Sequence, residues 1–238
     1  MNALIFGYND YALEIAKNIG YKDSDIVIFD MNFDTDIVDK AEYKIRKFDL
    51  SDEWDDLKNE FDMKNSIVFC VLEDNAQNVF LTISLRSIFK DLTIIALSKN
   101  RESANKLSMA GANKVIPMVQ TTASIITDML KKPIVTEVLH SILYEQSELK
   151  VAQIEVEKDD YFDGKYPADI EWHRVHGIIV LSVIREDMSG EFIYSSKALH
   201  KKITNGDIFV VVGYENDIKE FEKLVGRRCN VNWSNRSR

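Results

Sequence analysis

The residues best placed to do chemistry stand where apolar runs end abruptly. Ala3–Phe6 breaks into Gly7-Tyr8-Asn9-Asp10-Tyr11-Ala12, and Ile26–Phe29 ends on Asp30. If the runs are strands feeding helices, the first break is where glycines let backbone approach a pyrophosphate at a helix N-terminus. Of that fingerprint only Gly7 is present, with Asn9 and Ala12 in place of the other two glycines. Asn9 still tolerates a positive φ at modest cost, and Ala12 is small enough for close helix–strand packing. Asp10 acts the other way: its carboxylate suits the helix macrodipole but competes with a bound anion. Asp30 lies 23 residues beyond Gly7, where a carboxylate accepts both ribose hydroxyls. A solvated acid at a strand end is the competing explanation. Asp49, in Phe48-Asp49-Leu50-Ser51-Asp52, follows the short run Tyr43–Lys47. It either lines the same crevice near a base, or Ser51 or Asp52 caps a following helix. Lys99-Asn100-Arg101 offers phosphate contacts or a solvated helix start in equal measure. The candidate binding set is Gly7, Tyr8, Asn9, Asp10, Asp30, Asp49, Leu50, Leu72 and Ser98.

Catalytic constellations are thin. Of the four histidines, His140 falls in an amphipathic helical pattern, and His173-x-x-His176 lacks a third ligand at recognisable metal spacing. There is no nucleophile elbow, no recognisable acid pair and no lysine-serine phosphate loop. The expectation is a non-enzyme with no catalytic residue and no metal ligands.

The elements that must position these residues alternate along the first 117 positions. Ala3–Phe6, Ile26–Phe29, Ile67–Leu72, Thr93–Leu97 and Lys114–Ile116 read as buried strands. Tyr11–Asn18, Asn75–Phe89 and Arg101–Ala110 read as amphipathic helices, the last with Gly111 as a C-cap. Such alternation predicts α/β architecture: a Rossmann-like doubly wound parallel sheet, residues 1–118. Two consecutive helices, Thr122–Leu130 and Ile134–Tyr144 with Pro133 at the start of the second, make a crossover or dimerisation arm over 119–149. Strand-like Val151–Val156, Gly177–Ile184, Glu191–Tyr194 and Asp207–Val212, then a helix over Glu215–Leu224, predict a smaller α+β lobe over 150–226. Residues 227–238 read as a polar tail, fraying at Ser234–Arg238.

Composition narrows the function classes. The 238 residues suit two domains, and 45 % hydrophobic with 29 % charged is ordinary globular usage. Cys70, in an apolar run, and Cys229, in the tail, make no disulfide framework and fit a reducing, cytoplasmic setting. The net charge of −9 disfavours nucleic acid as a partner. No apolar run is long enough to span a bilayer, and no basic-then-apolar leader precedes the first strand.

Several segments resemble, in order, one known family. After the Gly7 turn, Asp30 and Asp49 come Asp74-Asn75-Ala76-Gln77-Asn78 leading a helix and Ile95-Ala96-Leu97-Ser98. Lys106-Leu107-Ser108-Met109-Ala110-Gly111-Ala112-Asn113-Lys114-Val115-Ile116-Pro117 follows. Leu130-Lys131-Lys132-Pro133-Ile134-Val135 and Asn205-Gly206-Asp207-Ile208-Phe209-Val210-Val211-Val212-Gly213 continue the series to about residue 226. The set resembles the RCK domain, also called KTN or TrkA-N plus TrkA-C. That resemblance implies a cytosolic gating unit at the inner face of the membrane, attached to or assembled on a potassium pore. It also implies self-pairing through crossover helices into dimers and octameric rings, with NAD(H) or an adenine nucleotide as ligand. The departures are the two replaced glycines, Leu97 and Lys99 where calcium-gated members carry acids, and Met118 where several members carry a metal-coordinating glutamate. Two other readings stand beside it: a small NAD(P)-dependent oxidoreductase, which lacks a visible proton donor, and a scaffold subunit that no longer binds ligand.

Overall fold

The computed structural model describes residues 2–19, 25–32, 42–52, 54–144, 148–157, 161–185 and 189–228. It divides into two compact units, residues 1–127 and 128–238. The sequence reading of Ser234–Arg238 and of Cys229 lies outside the described residues.

In the first unit, strands β1 (Asn2–Phe6), β2 (Asp25–Asp30), β3 (Lys44–Lys47), β4 (Ser66–Cys70), β5 (Thr93–Ser98) and β6 (Lys114–Pro117) form one sheet in the order β3-β2-β1-β4-β5-β6. Every pairing is parallel. Helices α1 (Asp10–Ile19), α2 (Leu57–Glu60), α3 (Asn75–Ile88) and α4 (Arg101–Met109) accompany it. Both faces of β1 are buried, which is why its sequence is an unbroken apolar run rather than an alternation. Ala3 and Ile5 pack with Ala12 and Ala16 of α1 on one face. Leu4 and Phe6 join Leu81 and Leu85 of α3, Leu107 of α4 and Trp54 on the other. Phe6 stacks on Phe29 with centroids 4.5 Å apart and meets Phe48 and Trp54 edge-on. The order is the doubly wound one, with β1 and β4 adjacent, so successive connections leave the sheet on opposite sides at that point.

Arg86, near the end of α3, ties this layer down. Its guanidinium donates to the carbonyls of Gly111, Phe89, Lys90 and Leu92 and to Asn113 Oδ1. Gly111 has φ +101°, and a Cβ there would stand 2.7 Å from Arg86 Cγ. The C-cap of α4 is Ala110 rather than Gly111, and Gly111, one residue on, makes the turn out of the helix. Two further helices are α5 (Met118–Lys131) and α6 (Pro133–Tyr144), with Pro133 opening the second where its missing N–H is harmless.

The second unit is an antiparallel sheet of β7 (Leu149–Val156), β8 (Ile179–Ile184), β9 (Gly190–Phe192), β10 (Ile208–Tyr214) and β11 (Gly226–Arg228), ordered β11-β7-β10-β8-β9. Helices α7 (Trp172–His176), α8 (Ser196–Leu199) and α9 (Glu215–Val225) belong to it. Ile218, Phe221 and Val225 of α9 pack on Ile154, Phe209 and Val211 with Phe162 and Trp172. A buried ion triad lies in this unit: Arg185 Nη1 to Asp207 Oδ2 at 2.6 Å and Arg185 Nε to Glu191 Oε2 at 3.3 Å. Losing one partner would strand a buried charge.

The structure revises three details of the sequence reading. Gly177 does not open a strand: it closes α7 in the left-handed region at φ +66°, and β8 begins at Ile179. The strand expected over Glu191–Tyr194 is Gly190–Phe192, because the chain turns at Ile193 and Tyr194. Arg227 and Arg228, expected in the polar tail, pair with Glu155 and Ile154. Backbone hydrogen bonds to β7 need no apolar side chain, so polarity did not mark this strand.

Candidate functional site

At the carboxyl ends of β1, β2 and β4 the chain makes three turns that bound a cleft. This is the edge where open α/β sheets bind ligands, since strands diverge into helices on opposite faces and leave a crevice. One cavity of about 350 Å³ is lined by Gly7, Tyr8, Asn9, Asp30, Met31, Asn32, Leu72, Glu73, Asp74 and Gln77. Its volume falls in the range of small-molecule sites. A smaller one, about 150 Å³, is lined by Asn9, Asp10, Tyr11, Val71, Leu72, Glu73, Asn75, Leu97, Lys99 and Met118.

Gly7 makes the floor. Its N–H donates to the Phe29 carbonyl at 2.8 Å, and its φ is +122°. A Cβ would lie 2.9 Å from the Val71 carbonyl oxygen and 3.1 Å from the Leu72 nitrogen. Both the dihedral and the crowding demand glycine, because the β1 and β4 turns touch here.

Asn9 stands at the second fingerprint position, and the structure gives it a different task. Its Oδ1 accepts from Ala12 N–H at 3.1 Å, and Leu13 N–H donates to its carbonyl, so it is the N-cap of α1. Its Nδ2 donates to the Val71 carbonyl at 2.7 Å, tying the two turns together. Ala12 is fully buried against the sheet. Asp10 is exposed in the first turn of α1.

Asp30 ends β2 half-buried beside the cavity, and its Oδ1 accepts from Asn32 N–H at 3.1 Å. The turn after β4 is held by Asn78, whose side chain accepts from Leu72 N–H and donates to the Leu72 carbonyl. Asp74 Oδ1 accepts from Ala76 and Gln77 N–H and caps α3. Leu72 thereby faces both cavities.

The remaining candidates do not line either cavity. Asp49 is exposed, and its Oδ1 is used within its own turn by Ser51 N–H at 2.9 Å and Ser51 Oγ at 2.6 Å. Those hydrogen bonds hold its carboxyl below the usual range. Leu50 packs against the core cluster around Phe48 and Trp54. Ser98 is buried, with Oγ donating to the Asn100 carbonyl. Met31, Asn32, Glu73 and Gln77 line the cleft without having been singled out from sequence. The visible signal was the position of Met31, Asn32 and Glu73 in the turns after β2 and β4, and of Gln77 in the first turn of α3, at the β1/β4 switch point, which needs the strand order to be known.

Cys70, at the end of β4, is fully buried, and burial pushes its thiol up to about 12, so it is no nucleophile at neutral pH. Among the described residues no group of three or more His, Cys, Asp or Glu is placed to hold a metal ion. Among them, too, no helix is long and apolar enough to cross a membrane.

Comparison with known proteins gives concordant results. Residues 3–117 match the TrkA-N domain. In sequence the chain is similar to two proteins of Methanocaldococcus jannaschii. Probable potassium channel protein 2 is 24 % identical over 172 residues, covering 68 % of this chain and 47 % of that protein. Potassium channel protein 1 is 23 % identical over 155 residues, covering 65 % and 45 %. The chain spans about half the length of the curated relatives it matches. In structure it is similar to the human SLO3 gating ring, with a TM-score of 0.68 at 10 % identity, over 92 % of this chain and 46 % of that one. At that identity the likeness concerns the fold.

Proposed function

We propose that the chain, whose residues 3–117 match the TrkA-N domain, is a regulatory, non-catalytic unit of a potassium channel or transporter. It works on the cytoplasmic side, takes a ribose-bearing ligand in the β1/β4 cleft, and passes occupancy to a pore through the packing of its subunits. The observation that carries this reading is the cleft itself. A cavity of about 350 Å³ opens at the switch point, floored by a glycine that tolerates no Cβ and flanked by Asp30 at the end of β2. NAD(H) and the adenine nucleotides are the ligand class to which such a carboxylate, placed for ribose hydroxyls, belongs.

Self-association is the second part of the proposal. Helices α5 and α6 carry large apolar side chains in the open: Leu130 is 79 % exposed and Ile134 76 %. Ile126, Val138 and Leu139 are more than half exposed. On the first unit, Phe80 and Ile83 of α3 line an apolar cavity of about 370 Å³ beside Lys106 of α4. Apolar surface in this quantity is unusual for a monomer and supports burial against further copies. Two such surfaces on different elements suit a ring, where a dimer would need one. A ligand then shifts the pore only by its differential affinity for two ring conformations.

A thermal-unfolding screen with NAD, NADH, AMP, ADP, ATP and adenosine tests the ligand half. A ligand present at 100 times its dissociation constant adds roughly 2.7 kcal/mol of stability. Failure of every compound to raise the midpoint would leave the scaffold reading in its place.

A further inference from the structure

We propose that the cleft selects a nucleoside without a phosphate chain, of the adenosine type, and discriminates against diphosphates. The proposal rests on the reading of the cleft as a site for a ribose-bearing ligand and, within that reading, sets a phosphate-free nucleoside ahead of NAD(H) and the adenine nucleotides.

Phosphate recognition in this architecture needs free backbone N–H groups at a helix start, or cations. Two helix starts open on the cleft, and at each a side-chain oxygen of the protein already takes N–H groups that a phosphate would use. Asn9 Oδ1 takes the Ala12 N–H of α1, and Asp74 Oδ1 takes the Ala76 and Gln77 N–H groups of α3. Asn9 cannot swing away without also releasing the Val71 carbonyl, to which its Nδ2 donates at 2.7 Å. The charge around the cavity points the same way. Asp30, Glu73 and Asp74 line the larger cavity, and among the described residues that line it there is no Lys or Arg. Asp10 adds a further carboxylate at the mouth of α1, and among the described lining residues Lys99 is the one cation, on the smaller cavity of about 150 Å³. A diphosphate would face three or four carboxylates; Asp10, Glu73 and Asp74 are exposed and Asp30 half-buried, so their combined repulsion acts most at low salt. A neutral nucleoside meets none of this. Its hydroxyls find Asp30, its base edges find the amides of Asn32 and Gln77, and its ring finds Tyr8, Met31 and Leu72.

Isothermal titration of the whole chain with adenosine, AMP, ADP and NAD, at low salt and with and without magnesium, tests this. The expected result is that adenosine binds and affinity falls with each added phosphate, by on the order of tenfold between adenosine and ADP. Raising the salt should narrow that gap, because the repulsion is screened. Glu73→Gln, an exposed position, should narrow it as well, by roughly threefold. Tighter binding of ADP or NAD than of adenosine would overturn the proposal while leaving the cleft as a ligand site. Heat from none of the four would remove both. An adenosine-to-ADP gap that ignores salt and Glu73→Gln would overturn the electrostatic cause.

Discussion

Asn9 shows how one side chain reshapes a site. At a position where a glycine would bring bare backbone to a pyrophosphate, its amide closes the first turn of α1 and clips that turn to the Val71 carbonyl. The sequence shows Asn in place of glycine, and Asn prefers the N-cap, where its side chain accepts a helix N–H. The bond to Val71 is not legible there, since it depends on β1 and β4 being neighbours. His176 supports a prediction at the same scale. Its ring meets Phe162 and Phe221 edge-on, with Lys165 nearby and Asp217 and Glu220 lining the adjoining cavity. Partial burial, and then the Lys165 charge, hold its pKa below the usual value. The unfolded chain therefore binds the proton first, and stability is lost as pH falls through about 6.5 toward the folded value. Urea denaturation between pH 7.5 and 5 should show this decline, and His176→Gln should flatten it. An equal slope in the variant would assign the decline to other groups. Asp49 illustrates the limit of residue-level reading. Asp-Leu-Ser after a strand serves a ligand or its own turn equally well, and Ser51 claims both bonds to Oδ1.

At the scale of elements, the alternation of apolar runs and amphipathic stretches was enough to read a parallel sheet. Runs buried on both faces, such as Ile26–Phe29, leave little room for another assignment. Short pieces escaped: α2 has four residues and α7 five, below the length at which a 3.6-residue period can be seen. The two helices after Pro117 were readable as helices, but their purpose depends on what covers them. Leu130, near the end of α5, touches so little that its replacement by Glu should leave folding intact. Light scattering should show Leu130→Glu moving the protein from an oligomer to a smaller species, with less than about 0.5 kcal/mol change in the stability of the dissociated chain. A wild-type chain that elutes as a strict monomer would contradict the self-association.

For the whole molecule, the net charge of −9 and the acids around the cleft share a consequence. The net charge and the described acids around the cleft do not favour a polyanion, which is why the ligand we propose is one held by hydroxyl and base contacts. The most direct test of the cleft as a sensor is calorimetric titration of adenosine into the wild type and into Asp30→Ala. The expected outcome is saturable heat in the wild type that weakens by roughly tenfold or more in the variant, as loss of a charged hydrogen-bond partner implies. Equal affinity in the two proteins, or no heat in either, would contradict a ribose-binding cleft at the β1/β4 switch point.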